Sequence, residues 1–170
     1  MSKLSRDELL ERLAGVRLLS LDVDGVLTDG GLYFADDGSQ LRKFNVKDGL
    51  GMKRARNAGV EVAIITASAT PAIHHRGEVL GIPHVFVGVE DKLATLQGLC
   101  EGLDIELSAV AHMGDDLNDL ALLQTIGCPL TVADAVAEIK EAACYITERK
   151  GGAGAVREIC DMLVSAHGGS

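Results

Sequence analysis

Three carboxylates, Asp22, Asp24 and Asp29, stand in the stretch LLSLDVDGVLTDGG (Leu18 to Gly31), directly behind a run of aliphatic side chains. Like charges this close repel, and a partly buried carboxylate is costly unless a cation compensates it. Asp22 and Asp24 are two residues apart, so in a continuing strand both would point the same way, and Gly25 lets the backbone turn where the strand ends. A second acidic group, GDDLND, carries Asp115, Asp116, Asn118 and Asp119 at the end of another apolar run. If the two strand ends are neighbours, several carboxylates face one small volume. An all-oxygen donor set suits Mg²⁺, which takes one or two carboxylates and keeps several waters.

Two further polar groups follow strand-like runs: Thr66 after VAII, and Lys92 opening a helix shortly after HVFVGV. A hydroxyl and an ammonium beside such a cation would hold a phosphate dianion. The set then contains a nucleophile, an acid, a metal and a phosphate clamp.

The elements that must position these groups alternate. Ser5 and Glu8 have the form of a capping box, opening a short helix that Gly15 ends. Apolar strands are expected at Val16 to Leu21, Val60 to Thr66, His84 to Val89, Ala109 to Gly114 and Pro129 to Ala133. Helices are expected between them, over DGLGMKRARNAG, PAIHHRGEVLG, DKLATLQGLCEGL, DLNDLALLQTIG, ADAVAEIKEAA and GAVREICDMLVSAH. In the third, Leu93, Leu96, Leu99 and Leu103 share one face. Repeated β-α units predict an α/β fold with a doubly wound, parallel, Rossmann-like sheet, whose ligands bind at the carboxyl ends of the strands. One segment breaks the alternation: residues 31–46 carry a hairpin signal around Asp37-Gly38, expected to project as a flap or to pair with another subunit. Its Tyr33, Phe34 and Phe44 are three of the five aromatic residues in the chain.

The 170 residues suit one domain, 1–170, and with 3% aromatic residues and no Trp the core must be aliphatic. A net charge of −9 argues against nucleic acid or an anionic membrane as partner. No apolar run approaches the length of a membrane span and the N-terminus has no apolar signal core, so a cytoplasmic location is expected. Four widely spaced cysteines with no C-x-x-C pair read as buried free thiols. His74 and His75 read as surface residues, and His84 and His112 as packed or exposed side chains near the sheet.

D-x-D-G-V-L-T-D at Asp22 to Asp29, then Thr66, Lys92 and G-D-D-x-N-D at Gly114 to Asp119, resemble in order the four motifs of haloacid dehalogenase-like phosphatases. The small size, the hairpin and the ending GGAGAVREICDML resemble the capless branch that acts on octulosonate 8-phosphate. The resemblance implies that Asp22 attacks phosphorus and that Asp24 serves as acid and then base. It also implies Mg²⁺ held by Asp22, the Asp24 main-chain carbonyl and Asp115, with Thr66 and Lys92 on the phosphoryl oxygens. Asp116 and Asp119 would orient Lys92 or metal-bound waters. That branch forms homotetramers, and a segment matching Gly151 to Gly154 reaches a neighbouring site, which makes Arg157 a substrate candidate. Lys47 and Asp48 could lie near the substrate mouth. The sequence departs from the octulosonate pattern at Ala67 and Ser68, where Gly-Arg is usual, and at Ala153, where Arg is common. Both departures remove cations that a sugar carboxylate would use. The resemblance implies a phosphorylated 3-deoxy-2-ulosonic acid as substrate, octulosonate 8-phosphate first, with a nonulosonate 9-phosphate as the alternative that the altered loop favours. The rival of another class is a non-catalytic oligomerisation module.

Overall fold

The computed structural model describes residues 3–169. Six parallel strands form the sheet: β1 (Leu18–Leu21), β4 (Glu61–Ile65), β5 (His84–Phe86), β6 (Val110–Gly114), β7 (Cys128–Thr131) and β8 (Tyr145–Ile146). Their order is β5-β4-β1-β6-β7-β8. The chain therefore builds outward from β1 on one side, then returns to β6 on the other. Such a reversal opens a crevice beyond the strand ends. Asp22 and Asp115, directly after β1 and β6, stand at its rim.

Alternate strand residues face opposite layers, as a period of two requires. Leu19, Leu21, Val62, Ile64, Ala111 and Met113 join the larger core. That core is covered by α1 (Arg6–Leu13), α2 (Val46–Asn57), α3 (Pro71–Leu80) and α7 (Ala155–Ala166). Leu18, Ala63, Ile65 and Val110 face the smaller core with Leu96 and Cys100 of α4 (Lys92–Leu103) and Leu122 of α5 (Leu120–Leu123). Both faces of the sheet are thus buried, which explains the nearly unbroken apolar runs of its strands. The capping box at Ser5 and Glu8 is formed in full. All four cysteines are buried free thiols. Among the described residues no helix is long and apolar enough to cross a membrane, and no cap domain interrupts the sheet.

Several elements differ from the sequence reading. The two-residue β8 was not expected; it is too short to show a period, and it forms because α6 (Ala137–Ala142) returns the chain beside β7. The expected helix from Asp116 is split into a 3₁₀ turn, Leu117–Asp119, and the single turn of α5, because Asp119 is drawn beneath the sheet edge. The apolar stripe of α4 is rotated: Lys92, Leu96 and Cys100 are its buried residues, while Leu93, Leu99 and Leu103 are half-buried. An ion pair under the helix start turns Lys92 inward. Helix α2 starts at Val46, with Asn45 accepting the Lys47 N–H, so the hairpin segment ends earlier than expected.

The hairpin pairs β2 (Tyr33–Phe34) with β3 (Gln40–Leu41), Tyr33 opposite Leu41. Asp37 accepts the Ser39 N–H, and Gly38 takes the left-handed φ of 82° that closes the turn. This pair lies outside the main sheet, and Tyr33, Phe34 and Leu41 are more than half exposed.

Candidate active site

The segment after β1 is compact. The Asp22 N–H still donates to the Met113 carbonyl of β6, while the N–H groups of Val26, Leu27 and Thr28 fold back onto the Val23 carbonyl. Buried Thr28 ties this turn, its hydroxyl donating to the Val23 carbonyl and accepting from Gly25 and Gly30. Gly25, at φ 86°, is required by space as well: a Cβ there would lie 1.9 Å from Asp115 Oδ2. Asp29 closes the following turn by accepting the Gly31 N–H and pairing with Lys43. The Gly151–Gly154 turn packs against this loop. A Cβ at Gly151 would lie 1.7 Å from the Gly25 carbonyl oxygen, and the Gly152 N–H donates to Val26.

Asp22, Asp24, Thr66, Ala67, Ser68, Asp115, Asp116 and Asn118 line one cavity of about 490 Å³. Lys92 reaches this site from below. Its Nζ lies 2.8 Å from Asp22 Oδ2 and 2.6 Å from Asp119 Oδ1, with a side chain only 2% exposed. Asp119 is fully buried, and the same Oδ1 takes a 3.1 Å contact from His112 Nε2, while His112 Nδ1 lies 3.1 Å from Ser20 Oγ. Thr66 is buried, its N–H held by the Phe86 carbonyl and its hydroxyl accepting from the Ser68 N–H.

The electrostatics leave a deficit of positive charge. Burial is the largest influence on Asp22 and, with the Asp119 charge, pushes its carboxyl up against the opposing pull of Lys92. Burial opposes ionisation of Asp119 too, but the His112 contact and the Lys92 ammonium hold that carboxyl down. Lys92 is desolvated as well, yet Asp22 and Asp119 hold its ammonium on. Among the described residues Asp115 forms no ion pair with a cation, and burial followed by Asp22, Asp119 and Asp116 pushes it up to about 7 against the more distant pull of Lys92.

One ammonium thus faces three carboxylates, and a divalent cation fits the remaining charge. Carboxylate oxygens of Asp22, Asp115 and Asp119 lie within 4.8 Å of one another. Asp119 is already engaged, Oδ1 by Lys92 and His112 and Oδ2 by the Asp115 N–H. Asp22 is engaged too, Oδ1 by the Val23 N–H and Oδ2 by Lys92, but Asp22 and Asp115 line the cavity and Asp119 does not, so the donors placed for a metal are Asp22 and Asp115. Because Asp115 must be a carboxylate to bind, Mg²⁺ affinity is expected to fall as pH drops below about 7, by up to roughly tenfold per unit, with proton uptake on release. Calorimetric titration in buffers of different ionisation enthalpy reads both quantities. A pH-independent affinity would remove Asp115 from the donor set.

A family model described as haloacid dehalogenase-like hydrolase matches residues 85–159. The 3-deoxy-D-manno-octulosonate 8-phosphate phosphatase of Escherichia coli K12 is 42% identical over 161 residues, 95% of this chain and 86% of that protein. The chain belongs to the haloacid dehalogenase-like hydrolases. Within them it is a phosphatase. Its fold matches the crystal structure of a probable YrbI family phosphatase from Pseudomonas syringae with a TM-score of 0.93 at 44% identity, over 96% of this chain and 93% of that one. The 3-deoxy-D-manno-octulosonate 8-phosphate phosphatase of Moraxella catarrhalis, crystallised with magnesium, phosphate and KDO, aligns with a TM-score of 0.91 at 37% identity, over 94% and 92% of the two chains.

Against the expectations for a member of this family, Lys47 and Asp48 depart from their anticipated places, while Asp116, Ser68 and Arg157 make contacts that were not anticipated. Asp116 does not touch Lys92; its side chain caps the 3₁₀ turn by accepting the Leu117 N–H. Ser68 lines the cavity, but its hydroxyl is taken by Arg42. Lys47 and Asp48 are not among the residues lining the Asp22 cavity, and Arg157, expected at a neighbouring subunit's site, lies away from this one. Lys47 and Arg157 line a separate cavity beside the start of α7, where Arg157 pairs with Asp161. Asp48 is buried between α2 and α7, accepting the Arg157 N–H, and burial pushes its carboxyl up. Packing of α2 on α7 carries all three away from the strand ends.

Two residues of the site were not anticipated. His112 had a signal: it and Ser20 are polar residues directly paired across two otherwise apolar central strands. Arg42 had none. Its guanidinium donates from Nε to Asp24 Oδ1 at 2.8 Å and from Nη2 to Asp24 Oδ2 at 3.1 Å.

Proposed function

We propose that this protein hydrolyses the phosphate ester of a 3-deoxy-2-ulosonic sugar acid, with 3-deoxy-D-manno-octulosonate 8-phosphate as the leading substrate. The observation that carries the reading is the Lys92 ammonium bridging Asp22 and Asp119 beside Asp24 and Asp115, in a chain whose relatives act on that substrate.

In this reading Asp22 attacks phosphorus as the ester P–O bond breaks, and Asp24 gives its carboxyl proton to the departing sugar oxygen. The Asp24 carboxylate then takes a proton from water, whose oxygen attacks phosphorus and releases Asp22 and inorganic phosphate. Two of the three Lys92 N–H donors are engaged by Asp22 and Asp119, and the third, with the Thr66 hydroxyl, serves the phosphoryl oxygens. Asp119 and His112 fix where that ammonium stands. Mg²⁺, held by Asp22, Asp115 and the Asp24 main-chain carbonyl, would supply charge neutralisation at the phosphoryl group. The chain acts as one catalytic domain over residues 1–170.

The test is phosphate release by purified protein with Mg²⁺, then with chelator, from octulosonate 8-phosphate, a nonulosonate 9-phosphate and glucose 6-phosphate. Mg²⁺-dependent preference for octulosonate 8-phosphate supports the reading. Preference for the nonulosonate would trace to the small Ala67 and Ser68 side chains lining the cavity. No turnover of any ester by folded protein would reject a phosphatase of sugar acids.

The reading includes a homotetramer, supported by the exposed apolar side chains of Leu32, Tyr33, Phe34 and Leu41 on the hairpin. Phe34→Asp is expected to shift the species seen in light scattering toward monomer. An unchanged mass would take the hairpin out of the interface.

A further inference from the structure

We infer that Arg42 is a positioning residue for Asp24, which makes the hairpin part of the catalytic apparatus. The inference rests on the reading of Asp24 as proton donor. Arg42 follows β3 directly, on a hairpin whose Tyr33, Phe34 and Leu41 side chains are more than half exposed, yet its own side chain is 3% exposed. It is buried because it turns inward to the Asp22 loop. Nε and Nη2 grip the two Asp24 oxygens, Nη2 also donates to Ser68 Oγ at 2.7 Å, and Nη1 donates to Gln40 Oε1 at 3.3 Å.

A bidentate guanidinium fixes the plane of a carboxylate as well as its distance. Asp24 needs such a hold, since it sits on a loop, one residue before the left-handed Gly25, with a side chain about one-third exposed. Among the described residues Arg42 is its hydrogen-bond partner. Arg42 occupies one lone pair on each Asp24 oxygen and leaves the other for a proton in transit. The Ala67-Ser68 departure has its structural counterpart here. The loop after Thr66 carries no cation of its own, and its Ser68 hydroxyl instead anchors one that arrives from the hairpin.

A group that aims the proton donor matters in proportion to how badly the leaving group needs a proton. The test is kcat/KM for the wild type, Arg42→Met and Arg42→Lys on p-nitrophenyl phosphate, phenyl phosphate and octulosonate 8-phosphate. Arg42→Met is expected to lose about 10²-fold on the sugar ester, the lower range of a general-acid contribution, and under about fivefold on p-nitrophenyl phosphate. Arg42→Lys should fall between. Added to Asp24→Asn, Arg42→Met should cost nothing further on the sugar ester, because both act on one proton transfer. Equal losses on all three esters, no loss on any, or additive losses in the double variant would overturn the inference. Should circular dichroism show Arg42→Met unfolded, Arg42→Lys decides by the same dependence on leaving group. A wild type inactive on all three esters would reject the proposed function and this inference with it, whereas an active wild type with a uniform Arg42 effect rejects the inference alone.

Discussion

Asp22→Asn is expected to lower turnover by at least about 10⁴-fold, the scale seen when a covalent nucleophile is removed, while the protein stays folded. Asn has the same shape, and its amide oxygen can still accept from Lys92. The electrostatics predict more than tolerance. Burial and Asp119 already disfavour the Asp22 charge, so a neutral amide relieves repulsion within the acidic group. The metal-free variant should melt at or above the wild-type temperature. Single-turnover phosphate release and a thermal melt read both effects. Turnover near wild type in folded protein would take the nucleophile's role from Asp22. A large drop in melting temperature would show that the Asp22 charge is needed by the fold.

Lys92→Met should damage fold and activity together. It leaves Asp22 and Asp119 buried without the ammonium that bridges them, and breaking a buried ion pair from one side costs about 3–5 kcal/mol. The pH dependence has a definite sign. In the wild type Asp119 is held below its ordinary value, so its contribution is present above about pH 4 and is lost as pH falls through the depressed value. Without Lys92, burial and repulsion from Asp119 push Asp22 up further, while Asp119 keeps the His112 contact but loses the ammonium that also held it down. Stability of the variant then falls as pH rises from about 4 toward neutrality. The gap between variant and wild type should be widest near neutral pH and narrow on acidification, in urea titrations run without divalent metal. A constant gap would mean that Lys92 supports the fold through its aliphatic stem and not its charge.

Much of the site could be read along the chain because it is built where strands end. Strand β1 ends at Leu21 and β6 at Gly114, so the carboxylates that follow must emerge on one edge of a parallel sheet. Thr66 after β4 obeys the same rule. Lys92 was legible as a helix start, but its burial was not: a charged residue opening a helix ordinarily faces water, and only the carboxylates beneath it reverse that. His112 and Ser20 were visible as polar intrusions in apolar strands. Their contact needed the knowledge that β1 and β6 are neighbours, which they become only after the chain has laid down β4 and β5 on the far side.

By itself the sequence determined the alternation of strands and helices, the parallel sheet, the order of the acidic motifs and the edge at which they gather. Those follow from local periods and from the right-handed crossover, and each is written in a short window of residues. The tertiary structure decided which charges meet: Lys92 with Asp22 and Asp119, Arg42 with Asp24, and Asp48 with the start of α7 instead of the mouth of the cavity. Those pairs are separated by 18 to 109 positions in the chain. Separations of that size leave no periodic trace in the sequence. The pairs form because helices and a hairpin, docked for their apolar faces, bring charged side chains into a volume too dry to leave any of them alone.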